Sequence, residues 1–187
     1  MKALEQAIPV LIIIGPVGIG KSSTADAISE LLGDEYTIPH AVVDLDDVRR
    51  AYPAPREDGF HMELGFINLG SIWKNYQAVG AKCLLIPSVM EKQEHFDKVR
   101  MSVPGADLFV VRLRASLEVN HARIRGREKT IESLNWHIQR STFLAKDLEE
   151  RKLENAIVDT DDKQPYDIAR EIITKWGIIE WFGSITP

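Results

Sequence analysis

A chain of 187 residues with 23 basic and 28 acidic side chains carries a formal net charge of −5. This mildly acidic balance gives no general attraction to nucleic acid or to an anionic membrane, so we expect neither as a partner. The length fits one domain over residues 1–187, and the single cysteine, Cys83, excludes an intrachain disulfide and favours a reducing, cytoplasmic setting.

The first predicted elements are a strand, a glycine-rich loop and a helix. The β-branched and leucine run at 10–14 is typical of a strand that is covered on both faces within a parallel sheet. From Lys21 onward, apolar residues recur at helical spacing as far as Gly33, which we predict to be the C-terminal cap.

The loop at 15–22 reads GPVGIGKS and matches the Walker A pattern G-x-x-x-x-G-K-[ST]. Its glycines let backbone N–H groups turn inward around phosphate oxygens, and the helix N-terminus adds positive dipole. We expect Lys21 to reach the β- and γ-phosphates of ATP and Ser22 to ligate Mg²⁺. The strand before and the helix after the loop argue against the alternative, a turn that binds nothing. The residues predicted to bind ATP here are Gly15, Val17, Gly18, Ile19, Gly20, Lys21, Ser22 and Ser23.

A second strand is predicted at 41–44 and a short helix at 46–51. Asp44 and Asp46 then lie at the strand's carboxyl end, the edge where ligands bind in open α/β sheets. Such carboxylates can accept the proton of an attacking hydroxyl or hold magnesium, and Arg49 can pair with an anionic group of a substrate. The alternative is that the carboxylates only cap the short helix.

Residues 52–70 lack clear periodicity, and we predict them to be an excursion over a substrate pocket, because long irregular segments tend to be functional. Beyond them, apolar runs and helical spacing alternate. The predicted elements are helix, strand, helix and strand over 68–80, 83–86, 91–100 and 108–113.

A dense cationic stretch follows the fourth strand. Ser116 can cap a helix that Gly126 then breaks, and we predict residues 123–130 to be a lid that closes over ATP. Arg123 and Arg127 are the lid residues expected to contact ATP, with Arg127 stabilising the transferring phosphoryl group. A solvated helix end is the alternative.

The remaining elements are a long amphipathic helix from 131, a short strand at 156–158 and a helix at 166–176 that Gly177 closes. The acidic loop at 159–162 lies at the same edge of the sheet and can cap the last helix. Strands that alternate with helices predict an α/β fold, a three-layer αβα sandwich around a five-stranded parallel sheet.

Two motifs carry a resemblance to a family. The pattern G-x-x-G-x-G-K-S-S at 15–23, followed by D-x-D-x-V-R at 44–49, resembles the adenylylsulfate, gluconate and shikimate kinase branch of small P-loop kinases. The resemblance implies that Asp44 and Asp46 help to bind magnesium and the acceptor hydroxyl, that Arg49 holds substrate, and that a lid follows the fourth strand. It also implies that the loop at 159–162 lines the adenine, and capping of the last helix stays open as the alternative role of that loop.

The second motif also departs from adenylylsulfate kinases, which usually carry Gly and Asn where this chain has Leu45 and Asp47. The resemblance therefore does not identify the substrate of this chain.

We therefore predict an ATP- and Mg²⁺-dependent kinase that transfers the γ-phosphoryl group to a hydroxyl of a small anionic or polar metabolite. A nucleoside monophosphate kinase and a nucleotide-binding switch or ATPase module stay open as alternatives, and the oligomeric state is not predicted. The predicted catalytic residues are Lys21, Asp44, Asp46 and Arg127. The predicted substrate-binding residues are Asp44 and Arg49, and the predicted magnesium ligands are Ser22 and Asp46.

Overall fold

Five strands form one sheet in the computed structural model, which describes residues 7–185. They are β1 (Ile8–Ile14), β2 (His40–Val42), β3 (Cys83–Pro87), β4 (Ala106–Arg114) and β5 (Ala156–Asp159). Their spatial order is β2-β3-β1-β4-β5, and every neighbouring pair is parallel. The predicted five-stranded parallel sheet is confirmed.

Helices cover both faces of this sheet. They are α1 (Lys21–Asp34), α2 (Leu45–Val48), α3 (Met62–Ala78), α4 (Gln93–Ser102), α5 (Leu117–Arg127), α6 (Ile131–Arg151), α7 (Pro165–Trp176) and α8 (Ile178–Ile185). One core cluster joins α1 and α7 to the sheet, and a second joins α3, α4 and the C-terminal part of α6 to its other face. The three-layer αβα arrangement is therefore also confirmed.

Strand β1 lies at the centre because its side chains are apolar on both faces. Alternate residues point to opposite sides, so that Leu11 and Ile13 enter the first cluster while Ile12 and Ile14 enter the second. All four are fully buried. The strand pairs with β3 and β4, so the loop that follows it opens at the sheet's carboxyl edge, between the ends of those two neighbours.

Two glycines that we predicted to end helices lie inside them. Helix α1 continues through Gly33 to Asp34, because the N–H of Glu35 still reaches the Leu31 carbonyl at 3.0 Å. Gly126 likewise lies within α5, which ends at Arg127. A glycine ends a helix when a left-handed residue is needed, and neither of these glycines has a positive φ.

The predicted excursion at 52–70 is shorter than expected. Helix α3 begins at Met62 rather than near residue 68, because the Asp58 carboxylate accepts the N–H groups of Met62 and Glu63 at 2.8 and 2.9 Å. This caps the free N–H groups of the first helical turn. The irregular part therefore spans residues 49–61.

The ends of the predicted domain, residues 1–6 and 186–187, lie outside the described residues. Within residues 7–185, no helix has the length and apolar character that crossing a membrane requires.

Candidate active site

The Walker A loop joins β1 to α1 and packs beneath helix α5. Gly18 has a φ of +82°, and a Cβ built there would lie 2.4 Å from Cγ1 of the buried Ile124. Both facts require glycine at this position, since a side chain would be strained and would also overlap α5. The Asn120 side chain adds a second tie by donating to the Val17 carbonyl at 3.2 Å. Helix α5 thus holds the loop in shape.

Lys21 folds back over this loop. Its Nζ donates to the carbonyls of Gly15 at 3.2 Å and Pro16 at 3.1 Å. Burial lowers the pKa of Lys21 to about 8, and the nearby carboxylates of Asp46 and Asp44 oppose that shift. A half-buried ammonium whose hydrogen bonds within residues 7–185 go to neutral carbonyls is well placed to exchange them for anionic oxygens.

Ser22 and Asp44 form a pair at the base of the loop. The Ser22 hydroxyl donates to Oδ2 of Asp44 at 2.7 Å, while Oδ1 of the same carboxylate accepts the Asp46 N–H at 2.9 Å and caps α2. Burial raises the pKa of Asp44, and the hydrogen bond from Ser22 opposes this rise. The Asp44 carboxylate therefore caps α2 with one oxygen and accepts a hydrogen bond from the Walker A serine with the other.

Asp46 is paired with Arg49 in an i, i+3 ion pair. The Arg49 side chain is mostly buried, and it contacts the Met62 sulfur and packs above Gly65 of α3. The predicted substrate residue Arg49 thus joins α2 to α3 and already has a carboxylate partner.

Beside the Walker A loop lies a cavity of about 620 Å³, here called the loop-side pocket. Val17, Asp46, Arg49 and Arg127, all predicted site residues, line it. Phe60, from the predicted excursion at 52–70, also lines it. The rest of the wall includes residues that no sequence motif marked, among them Glu91, His95, Trp136, His137 and Arg140.

Arg140 connects three parts of this wall. It donates to the Glu91 carboxylate across 49 positions of sequence, and its guanidinium lies 5.6 Å from the centre of the Phe60 ring. Helix α6, the segment before α4 and the irregular segment 49–61 therefore meet at this one side chain. No local pattern marks Arg140, which sits among other charged residues of an amphipathic helix.

The two arginines of the predicted lid face different surroundings. Arg123 donates to the Thr160 hydroxyl at 2.9 Å and to the Thr160 carbonyl at 2.7 Å, so it ties the loop after β5 to α5. Arg127 lines the loop-side pocket and donates to the Glu128 carboxylate at 2.8 Å. One arginine is thus fixed at the 159–162 loop and the other at the pocket.

Comparison with known proteins identifies solved structures that share this fold. No protein-family model matches the sequence, and neither does any curated protein. Among solved structures, a gluconokinase from Sinorhizobium meliloti 1021 is similar over 97% of this chain and 100% of its own, with a TM-score of 0.62 and 19% identity. A tunicamycin resistance protein from Deinococcus radiodurans is similar over 91% of this chain and 96% of its own, with a TM-score of 0.61 and 18% identity.

A third structure, the APS kinase of Mycobacterium tuberculosis in complex with AMPPNP and APS, gives a TM-score of 0.60 and 18% identity over 92% of this chain and 99% of that one. These likenesses span nearly the whole of each chain. The fold is therefore that of the small P-loop kinases, in agreement with the resemblance read from the two sequence motifs.

Proposed function

We propose that this chain is an ATP-dependent kinase that transfers the γ-phosphoryl group to a hydroxyl of a small molecule. The observation that carries the proposal is that Lys21 lies close enough to Asp46 and Arg127, which line the loop-side pocket, to interact electrostatically with both, while the next residue, Ser22, donates to Asp44. A phosphate-binding side chain thus lies next to a carboxylate that can receive a hydroxyl proton. The fold shared with a gluconokinase and an APS kinase supports the same conclusion.

Lys21 supplies the charge that phosphoryl transfer needs. In the free protein its ammonium is held by the Gly15 and Pro16 carbonyls, which phosphate oxygens of ATP would replace. Charge-assisted bonds to phosphate are stronger than bonds to neutral carbonyls, so the exchange favours ATP. The same ammonium then stabilises the charge that develops on the transferring group.

The donor set at Ser22 and Asp44 fits magnesium. A hydroxyl and a carboxylate oxygen 2.7 Å apart are hard oxygen ligands, and Mg²⁺ takes few of these from protein because it keeps water and phosphate oxygens. When bound, the ion neutralises charge on the β- and γ-phosphates. We assign its protein contacts to Ser22 and Asp44, whereas the sequence favoured Ser22 and Asp46.

The Asp46 carboxylate, which then need not hold magnesium, can interact with the acceptor. Its carboxylate lines the loop-side pocket, and the ion pair with Arg49 fixes its orientation. There it can accept a hydrogen bond from the attacking hydroxyl and receive its proton. Arg127, once released from Glu128, can reach the same space and add positive charge to the transferring group.

The test is ADP release from Mg-ATP in the presence of a panel of hydroxylated small molecules. We expect at least one to stimulate release and to be recovered as a phosphate ester. Lys21→Ala should lower that rate by orders of magnitude while leaving the far-UV circular dichroism spectrum unchanged, because removing a phosphate-binding charge costs transition-state stabilisation rather than core packing.

Lys175→Ala is the matched control, since Lys175 is a partly exposed lysine near the end of α7 and lines neither cavity that the loop borders. Wild-type turnover in the Lys21 variant would refute the proposal. ADP release that no small molecule stimulates, but that a protein partner does, would instead indicate a nucleotide-dependent switch.

A further inference from the structure

Two histidines line the loop-side pocket from different elements. His95 belongs to α4 and His137 to α6. In each ring the Nδ1 atom is engaged by a nearby group of the protein, and Nε2 has no hydrogen-bond partner among residues 7–185. The Nε2 atoms are therefore the ring nitrogens left to meet a ligand.

The neighbours of His137 fix its proton on Nδ1. That atom lies 2.8 Å from the Ser133 carbonyl, which can only accept, and 3.4 Å from a Glu128 carboxylate oxygen. Nδ1 must therefore donate. In the neutral ring, Nε2 then carries a lone pair and offers an acceptor to the pocket.

The neighbour of His95 imposes the opposite tautomer. The backbone N–H of Glu91 donates to Nδ1 at 3.3 Å, so that atom must be unprotonated. The proton of the ring then lies on Nε2, which offers a donor to the pocket. Burial lowers the pKa of His95, which keeps this ring neutral at pH 7.

Three arginines of the pocket already have carboxylate partners, while Lys92, which also lines the cavity, has no ion pair among residues 7–185. Arg49 pairs with Asp46, Arg127 with Glu128 and Arg140 with Glu91, and all six side chains line the cavity. An anionic group that binds one of these three arginines would have to displace its carboxylate. A hydroxyl, by contrast, can donate to the carboxylate and accept from the guanidinium of an intact pair.

Two half-exposed aromatic side chains add apolar surface to this polar wall. Phe60 and Trp136 both line the pocket, and the Trp136 ring stands at 89° to the His137 ring with 4.8 Å between centroids. Ligand pockets commonly combine such apolar surface with a few placed polar groups that fix orientation.

We propose that the phosphoryl acceptor is a polyhydroxylated molecule, and that His95 and His137 select it by binding two of its hydroxyls, His95 as donor through Nε2 and His137 as acceptor through Nε2. This inference rests on the proposed kinase function. It adds a recognition device that neither sequence motif contains, since each tautomer is set by a residue four positions earlier in the chain and both rings line the same pocket.

The first experiment reads the tautomers without any acceptor. Long-range ¹H–¹⁵N NMR spectra of the full chain distinguish protonated from unprotonated ring nitrogens. We expect the Nδ1-protonated pattern for His137 and the Nε2-protonated pattern for His95. The same tautomer in both rings would overturn the proposal, and this result is independent of whether the protein is a kinase.

The second experiment adds probes to the protein with Mg²⁺ and AMPPNP. The probes are D-glucose, sorbitol and myo-inositol, compared with cyclohexanol and glycolate, which each carry one hydroxyl. We expect at least one of the first three to shift the Nε2 resonances of both histidines, and the single-hydroxyl compounds to shift neither. No binding by any polyhydroxylated probe would overturn the proposal.

Variants separate recognition from folding. His137→Leu and His95→Leu should each weaken binding of the polyhydroxylated probe about tenfold, the range of one lost hydrogen bond, without changing AMPPNP affinity. His137→Gln should restore most of the loss, because its amide oxygen can replace the Nε2 acceptor. His121→Leu on α5, outside the pocket, is the control and should have no effect. If a single-hydroxyl anion is phosphorylated while the polyols are inert, the inference fails and the kinase function stands.

Discussion

Gly18→Ala tests how the Walker A loop depends on the helix packed above it. Two separate penalties are expected at this position. The φ of +82° costs a residue with a side chain about 1–2 kcal/mol. The new methyl carbon would also lie 2.4 Å from Cγ1 of the fully buried Ile124, and overpacking of this kind costs about 1–3 kcal/mol more.

Gly20→Ala is the matched comparison in the same loop. Its φ is +99°, but a Cβ there would meet nothing within 4 Å. Only the backbone penalty applies, so we expect the Gly20 variant to lose about 1–2 kcal/mol of unfolding free energy and the Gly18 variant about 2–5 kcal/mol. Urea denaturation of both variants, analysed as two-state transitions with a common m-value, measures the difference.

Ile124→Ala then isolates the steric part. In the wild-type protein it leaves a cavity and should cost about 2–5 kcal/mol, whereas in the Gly18→Ala background the new methyl group occupies part of that space. The double-mutant cycle should give a favourable coupling of about 1–3 kcal/mol. Equal destabilisation of the two glycine variants, or a coupling near zero, would refute the view that α5 shapes the loop.

Two further predictions concern Lys21 and Asp58. Because burial lowers the pKa of Lys21 to about 8 in the free protein, kcat/KM for ATP should fall as pH rises through 8. Lys21→Arg should remove this fall, since a guanidinium group stays charged at that pH. A wild-type profile that stays level above pH 8 would contradict this. Asp58→Ala should cost about 1 kcal/mol in urea denaturation, because the Met62 and Glu63 N–H groups lose their cap, and Asp58→Asn should retain most of it.

The parts of this molecule that the sequence predicts are those specified by neighbouring residues. The run of apolar residues at 10–14 is enough to indicate a central buried strand, and the GPVGIGKS loop follows it directly. The order of strands and helices follows from alternating periodicity, and the parallel sheet follows from that order. Helix ends are predicted less accurately from sequence, because a helix can continue through a glycine such as Gly33 or Gly126 when its hydrogen bonding continues.

The pocket wall depends on contacts between distant residues, and these leave no local signal. Arg140 meets Glu91 only because α6 crosses the segment before α4, and Phe60 reaches Arg140 only because Asp58 starts α3 early. Each of these residues is ordinary in its own segment. The spacing that identifies a phosphate loop has no counterpart for a surface assembled from three separate parts of the chain.

Asp44 illustrates why two alternatives drawn from sequence need not exclude each other. Capping of a short helix, and holding magnesium or accepting a hydroxyl proton, are separate predictions for this carboxylate. In the structure one of its oxygens caps α2, and the other accepts the hydrogen bond from Ser22. The bond from the Asp46 N–H fixes the carboxylate's rotation, so Oδ2 is directed at the Ser22 hydroxyl before any ligand arrives. A structural hydrogen bond thus preorganises the oxygen that we assign to magnesium, and positioning of this kind is the main contribution a protein makes to phosphoryl transfer.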